Sequence, residues 1–166
     1  KFESITITAS GGPFFNKKRN FLANVTPEQA IKHPIWKMGK KISVDSASMM
    51  NKALEIIEAK YLFNLNNNQI NAIIHPESII HAAVNFYDNT SISLLNEPDM
   101  KIPISYLFNL TDYKAKSDII FNKLDKRGLT FYKINQKKFP AIRLVYEVLE
   151  IGGLAPHIFN YNNEIL

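Results

Sequence analysis

MGKKISVDSASMMNKALEIIEAKY, residues 38–61, changes character half-way along. A hydroxyl-rich turn comes first, and from about Ala47 the pattern predicts a long helix reaching Phe63. On it Asn51, Glu55 and Glu58 recur at i, i+4 and i+7, and Lys52 and Glu55 at i and i+3, so the four share neighbouring parts of one helical surface. Leu54, Ile57 and Tyr61 follow the apolar period and are expected on the opposite, core-facing side. Ser46 or Ser48 can cap the helix, leaving backbone N–H groups free at its start. Such a terminus, with hydroxyls, an amide and an ammonium around it, suits a phosphate. A carboxylate one turn further on suits a divalent cation. An ordinary amphipathic surface helix fits the same spacing, with Lys52–Glu55 as a solvent pair worth a few tenths of a kcal/mol.

Upstream, Phe2 to Ala9 reads as a strand stopped by Gly11-Gly12-Pro13. Phe14 to Val25 reads as a polar, basic loop. Thr26-Pro27-Glu28-Gln29 is a helix start with Thr as N-cap, Pro at N1 and Gln at N3, and Pro34 keeps that helix short. His33 to Lys41 is expected as a flexible loop. Downstream, Gln69–Ile74, Ile79–Tyr87 and Ser91–Leu95 read as strands, the last two joined by a tight turn at Asp88-Asn89. Pro103 to Leu110 is expected as a short helix and Lys114 to Gln136 as a connecting segment. Phe139 to Glu150 is amphipathic, with Ile142, Val145, Tyr146 and Leu149 on one face. Gly152-Gly153 ends it, and Pro156 begins another helical stretch. The class expected is α+β: a sheet of about four strands flanked by helices, then a partial helical appendage.

With 166 residues and 46% hydrophobic content the chain can build one domain, or one domain and part of a second. No apolar run in these residues is long enough to span a membrane, and none of them reads as a signal peptide. The absence of cysteine excludes disulfides, thiolate metal sites and thiol catalysis within these residues. Twenty basic and fifteen acidic side chains give +5, scattered rather than clustered with aromatics, which argues against nucleic acid and for an anionic substrate or cofactor. The Asn, Lys and Ile excess, seen in Asn66-Asn67-Asn68 and Asn160 to Asn163, reads as coding bias.

Ordered blocks sharpen this. Ser10-Gly-Gly-Pro-Phe14, Thr26-Pro-Glu-Gln-Ala30, His33-Pro34, Trp36, Met38-Gly39, Lys41-Ile-Ser-Val-Asp-Ser-Ala47, Met49-Met-Asn-Lys52 and Leu54-Glu55 come first. His75-Pro76, Ser78, Ile80-His81, Glu97-Pro-Asp-Met100 and Pro103 follow. Over about the first two-thirds of its length the chain resembles the 1-deoxy-D-xylulose 5-phosphate reductoisomerase family, NADPH-dependent enzymes of non-mevalonate isoprenoid biosynthesis.

The resemblance implies a catalytic domain with a mixed sheet at 1–110, a connector at 111–138 and the start of a C-terminal helical domain at 139–166. Neither a Gly-rich dinucleotide fingerprint nor the family's Asp-Ser-Glu metal motif occurs in these residues, so the N-terminal NADPH-binding domain is expected to be absent. The implied reaction converts 1-deoxy-D-xylulose 5-phosphate to 2-C-methyl-D-erythritol 4-phosphate with NADPH and Mg²⁺ or Mn²⁺. By the same resemblance Ser10, Ser46, Asn51 and Lys52 form the phosphate shell, with Gly11-Gly12 letting backbone approach the ligand. His33 contacts substrate, and Glu55 is a metal ligand with Glu58 close by. Glu55, His33 and Trp36 are the implied catalytic group. Trp36 belongs to a lid over the substrate, and Met38, Gly39, Ser78 and Met100 border the nicotinamide. Ser78 also faces substrate, and His81 lies near the site without an assigned proton-transfer role. His75 reads as a hydrogen-bonded structural residue.

Family members are homodimers of bacterial cytoplasm or of plastid-type organelles. The compositional bias favours the latter, a relict plastid such as an apicoplast. One departure stands in the tail: Asn160-Tyr161-Asn162-Asn163-Glu164 replaces the family's Asn-Ala-Ala-Asn-Glu. The contrasting expectation is an inert fragment, a scaffold or dimerisation module that keeps the phosphate site and lacks turnover.

Overall fold

Strand β1 (Phe2–Ala9) lies at the centre of a five-stranded sheet in a computed structural model that describes residues 1–108 and 128–165. On one side it pairs in parallel with β2 (Ile70–Ile74), Ile5 opposite Ile70 and Ala9 opposite Ile74. On the other it pairs antiparallel with β3 (Ile80–Phe86), which in turn pairs with β4 (Ser91–Leu95). A short β5 (Tyr132–Lys133) closes the far edge against β2, giving the order β4-β3-β1-β2-β5. The class is α+β with a mixed sheet, as the pattern of elements predicts. The β3–β4 turn is also as expected: Asn89 takes φ 65°, and the Asp88 carboxylate accepts from the amide and hydroxyl of Thr90.

A parallel β1–β2 pair needs a crossover, and three helices supply it. Helix α1 (Pro27–Ala30) starts at a capping box between Thr26 and Gln29. Helices α2 (Lys40–Ser48) and α3 (Met50–Phe63) follow. Beyond the sheet come α4 (Lys101–Leu107), α5 (Pro140–Ile151) and α6 (Ala155–Ile165). One apolar cluster joins Ile7, Ile70 and Ile74 of the sheet to Met50, Ala53 and Ile56 of α3 and to Ile142, Val145 and Leu149 of α5. The 139–166 segment therefore shares its core with the sheet.

Three expectations are corrected here. The turn expected before one long helix is itself helical, so there are two helices broken at Met49. That residue is left-handed, with φ 64° and ψ 13°, and is 2% exposed. Three serines, Ile42, Val44 and Asp45 fill most of α2, and all are modest helix formers, so its sequence reads as a turn. Side-chain pairs hold it instead: Lys41 pairs with Asp45 one turn along α2 at 2.5 Å and with Glu164 of α6 at 2.7 Å. The Ser43 hydroxyl also donates to the Gly39 carbonyl at 2.9 Å. The departing tail motif thus keeps a glutamate that reaches back to α2.

The second correction is the cap. Ser46 lies within α2, and Met49 occupies the N-cap position of α3, while Ser48 Oγ accepts from the Met50 amide at 3.3 Å. The third is the buried face of α3. It carries Met50, Ala53, Ile56 and Ala59 together with Lys52, whereas Leu54 and Ile57 are half-buried and Tyr61 is exposed. Leu54 and Ile57 pack against the edge of the core cluster, while Ala53, Ile56 and Ala59 lie within it.

Smaller differences concern edges. Helix α4 begins at Lys101, two residues early, because the Asp99 carboxylate accepts from the Lys101 amide at 2.9 Å. Residues 109–110 of the expected helix and 114–127 of the expected connector lie outside the described residues. The rest of that connector holds β5.

Candidate active site

Strand β1 delivers Ser10 to the mouth of a cleft of about 770 Å³. The start of α3 brings Asn51, Lys52 and Glu55 to the same space, and the C-terminal end of α2 brings Ser46. Gly12 makes this approach possible: its φ is +65°, and a Cβ there would stand 2.7 Å from the Ser46 carbonyl oxygen. The missing side chain of Gly12 therefore serves the packing of the β1 loop against α2.

The opposite wall is the 33–38 segment. His33 Nδ1 accepts from the amides of Ile35 at 3.1 Å and Trp36 at 2.9 Å. Its proton must then sit on Nε2, which donates to Ser10 Oγ at 2.9 Å. Burial pushes the His33 pKa down, which keeps the ring neutral as this arrangement requires. One imidazole thus joins the end of β1 to the segment carrying Trp36 and Met38, both of which line the cleft.

Lys52 is 8% exposed, and its ammonium is paired with the Glu55 carboxylate. The Asn51 side-chain amide donates to the other Glu55 oxygen at 2.9 Å. This is not a solvent pair: a buried cation beside one carboxylate is a charge held ready for an anion. Lys37 and Lys101 also line the cleft, against the carboxylates of Glu55 and Asp99, so its titratable lining carries one excess positive charge.

Ser78, His81 and Met100 complete the lining among the expected residues. Ser78 is 5% exposed and left-handed at φ 52°, an uncommon conformation for a residue with a Cβ. The His81 ring centroid stands 6.3 Å from that of Trp36. Burial, and then the charge of Lys52, lower the His81 pKa. Two expected residues lie elsewhere. Gly39 caps α2 outside the lining, because its role is to end the loop there. Glu58 is solvent-exposed one turn beyond Glu55 and is not among the cleft-lining residues.

His75 is structural, as the sequence suggests, and its partners are new. It is fully buried and donates from Nδ1 to the Thr130 carbonyl at 2.9 Å, with a Glu77 carboxylate oxygen 3.0 Å away. Its Nε2 accepts from the Ile79 amide, and its ring stacks on Phe131. Glu77 in turn accepts from the Thr130 hydroxyl at 2.6 Å and amide at 3.2 Å. No spacing rule links positions so far apart in sequence.

Among the described residues no three His, Asp or Glu side chains converge as a metal site. The oxygen chemistry of Glu55 suits Mg²⁺ or Mn²⁺, and its side chain is 37% exposed at the cleft, so it fits as one ligand of such an ion.

Residues 1–63 match the model described as the 1-deoxy-D-xylulose 5-phosphate reductoisomerase C-terminal domain, and residues 95–166 match the DXP reductoisomerase C-terminal domain. The chain belongs to the 1-deoxy-D-xylulose 5-phosphate reductoisomerase family. Reductoisomerases of Clostridium tetani and a Wolbachia of Brugia malayi are 50% and 51% identical to it, over 96% and 98% of its length. Both of these relatives are bacterial, and the chain spans 42% of each.

Solved structures agree. A DOX-P reductoisomerase in complex with NADPH, fosmidomycin and magnesium superimposes with TM-score 0.88 at 37% identity, over 99% of this chain and 40% of that one. The Zymomonas mobilis reductoisomerase in complex with NADPH gives 0.86 at 38% identity, over 99% and 42%. No described helix of this chain is long and apolar enough to cross a membrane.

Proposed function

We propose that the chain is the catalytic and C-terminal part of a reductoisomerase that converts 1-deoxy-D-xylulose 5-phosphate to 2-C-methyl-D-erythritol 4-phosphate, with NADPH and Mg²⁺ or Mn²⁺. The observation that carries this reading is the buried Lys52 ammonium at the start of α3, in one cleft with Ser10, Ser46 and Asn51. Lys52 supplies full charge for a phosphate, and the hydroxyls and amide supply directional donors. Glu55 contributes one oxygen ligand to the cation, which when bound polarises the substrate carbonyl. Trp36 and Met38 shield the reacting carbons from water as the 33–38 segment covers them, with His33 holding that segment to Ser10. Met38, Ser78 and Met100, with Gly39 next to Met38, form the border toward the nicotinamide. Glu58 adds negative potential one turn from Glu55 without touching the ion.

The same reading makes the whole protein a homodimer that does not bind nucleic acid. Its place is a plastid-type organelle if the Asn/Lys/Ile bias is organellar, and the bacterial cytoplasm if it follows its matched relatives. A second reading has one observation behind it: Glu55 has no two further metal-ligating partners among the described residues. On that ground the 166-residue chain alone is a non-catalytic unit that keeps the phosphate site.

The test is Lys52→Ala in the full-length protein. Loss of the buried charge costs about 2–4 kcal/mol of transition-state binding, roughly 30- to 1,000-fold in kcat/KM. Substrate binding and kcat fall together, while the Kd for NADPH stays close to wild type. A variant that loses NADPH and keeps substrate affinity puts Lys52 in the cofactor site, and the phosphate assignment of Ser46 and Asn51 fails with it.

A further inference from the structure

Asn96, the first residue after β4, is 5% exposed and stands behind the cleft. Its side-chain nitrogen lies 2.6 Å from the carbonyl oxygen of Glu97 and 3.2 Å from His81 Nε2. The backbone amide of Asn96 donates to the Ile79 carbonyl, which fixes the residue against the start of β3. One orientation of the side-chain amide suits these two contacts, and it leaves the buried Oδ1 without a hydrogen-bond partner among the described residues. Turned over, it would set its own carbonyl oxygen against that of Glu97, two acceptors at hydrogen-bond distance. In the orientation observed, one N–H goes to Glu97 and the other is aimed at His81. His81 Nε2 must therefore accept, because a hydrogen there would meet the amide hydrogen head-on.

The remaining surroundings agree. Burial favours the neutral form, Lys52 and then His75 oppose a positive charge on the ring, and Glu55 acts weakly the other way. A neutral imidazole with its Nε2 lone pair engaged carries its hydrogen on Nδ1. Free imidazole side chains prefer the opposite tautomer, so something must impose this one. We propose that Asn96 is a positioning residue that locks His81 as the Nδ1–H tautomer, so that His81 meets a ligand in the cleft as a hydrogen-bond donor. The fitting ligand group is an oxygen acceptor: a carbonyl, a hydroxyl or a phosphate oxygen. Proton abstraction by His81 is excluded, because its basic nitrogen is turned to Asn96. This rests on the cleft being the substrate site, but the tautomer itself can be read without turnover.

The experiment is nitrogen NMR on the full-length protein labelled with ¹⁵N-histidine, with His81 assigned by the signals lost in His81→Gln. In the wild type Nε2 should show the shift of an unprotonated nitrogen and Nδ1 that of a protonated one, throughout the neutral range. Asn96→Leu, which keeps the size and removes the donor, should move His81 toward the Nε2–H form. Asn96→Asp should move it fully, because a carboxylate oxygen accepts from Nε2–H. Each variant should lower kcat/KM roughly tenfold, the loss of one oriented hydrogen bond.

A wild-type spectrum with hydrogen on Nε2 overturns the proposal, as does an Asn96→Leu spectrum identical to wild type. Should Asn96→Leu fail to fold, the wild-type and Asn96→Asp spectra decide alone. A wild-type protein with the stated tautomer but no turnover of the sugar phosphate defeats the functional reading and leaves the tautomer standing.

Discussion

Helices α3 and α5 cover neighbouring ground on the same core and bury different things. Helix α5 buries Ile142, Val145 and Leu149, all apolar and all on one stripe. Helix α3 buries Met50, Ala53, Ile56 and Ala59, and with them the charged Lys52. Packing alone explains α5. It does not explain why α3 keeps a lysine that is only 8% exposed, since desolvating a charge is costly even beside a carboxylate. One helix is built for stability, and the other gives up some stability to hold a charge at a cleft.

That contrast can be broken by three measurements, the largest effect first. Leu149→Ala should remove about 2–5 kcal/mol of stability, read as a lower urea midpoint, because Leu149 is 4% exposed within the shared core. The cleft lining should keep its ligand affinity at temperatures where the variant is folded. Lys52→Met should be the opposite case. Met fills similar volume without charge, and Glu55 is solvated enough to stand alone, so stability should stay within about 1 kcal/mol of wild type while phosphate affinity collapses. If Lys52→Met unfolds the protein as readily as Leu149→Ala, the ammonium is structural and the distinction between the two helices disappears.

The smallest effect concerns acid. Burial holds the folded pKa of His33 below that of a free histidine, about 6.5. The stability tied to its neutral form is therefore present above about 6.5 and is lost as pH falls through the lower folded value. Protonation at Nδ1 would break the acceptor bonds from the Ile35 and Trp36 amides. Trp36 is the only tryptophan of the chain, so its fluorescence should shift on acidification and stop shifting in His33→Gln. An unchanged acid transition in that variant would separate His33 from the segment it is argued to anchor.

The strands, the capping box at Thr26 and the stripe of α5 are legible in the sequence because each follows from local rules: alternation, cap chemistry, helical period. The choice of face on α3 is not. Leu54, Ile57 and Tyr61 have the stronger hydrophobic pattern, yet Ala53, Ile56 and Ala59 lie within the core cluster and Leu54 and Ile57 only at its edge. The break at Met49 is equally hidden, since a buried left-handed methionine has no local signature. Of the site, Ser10, Ser46, Asn51, Lys52 and Glu55 are recognisable by family resemblance, whereas the buried state of Lys52 is a product of packing. Asn96 and the partners of His75 escape sequence reasoning altogether, because their contacts join segments with no shared spacing.

The hold of His75 on Thr130 also has a consequence in time. These residues are separated by 55 positions, and the sheet strands β1 to β4 are all made before the second of them leaves the ribosome. A nascent chain that has reached the end of β4 can pair its strands and close the Asp88-Asn89 hairpin. Its His75 side chain then still lacks the carbonyl that receives the Nδ1 hydrogen, and the bend that carries Ser78 is fastened from one side only. The corner of the cleft formed by Ser78 thus sets only when a stretch distant in sequence arrives to complete the edge of the sheet.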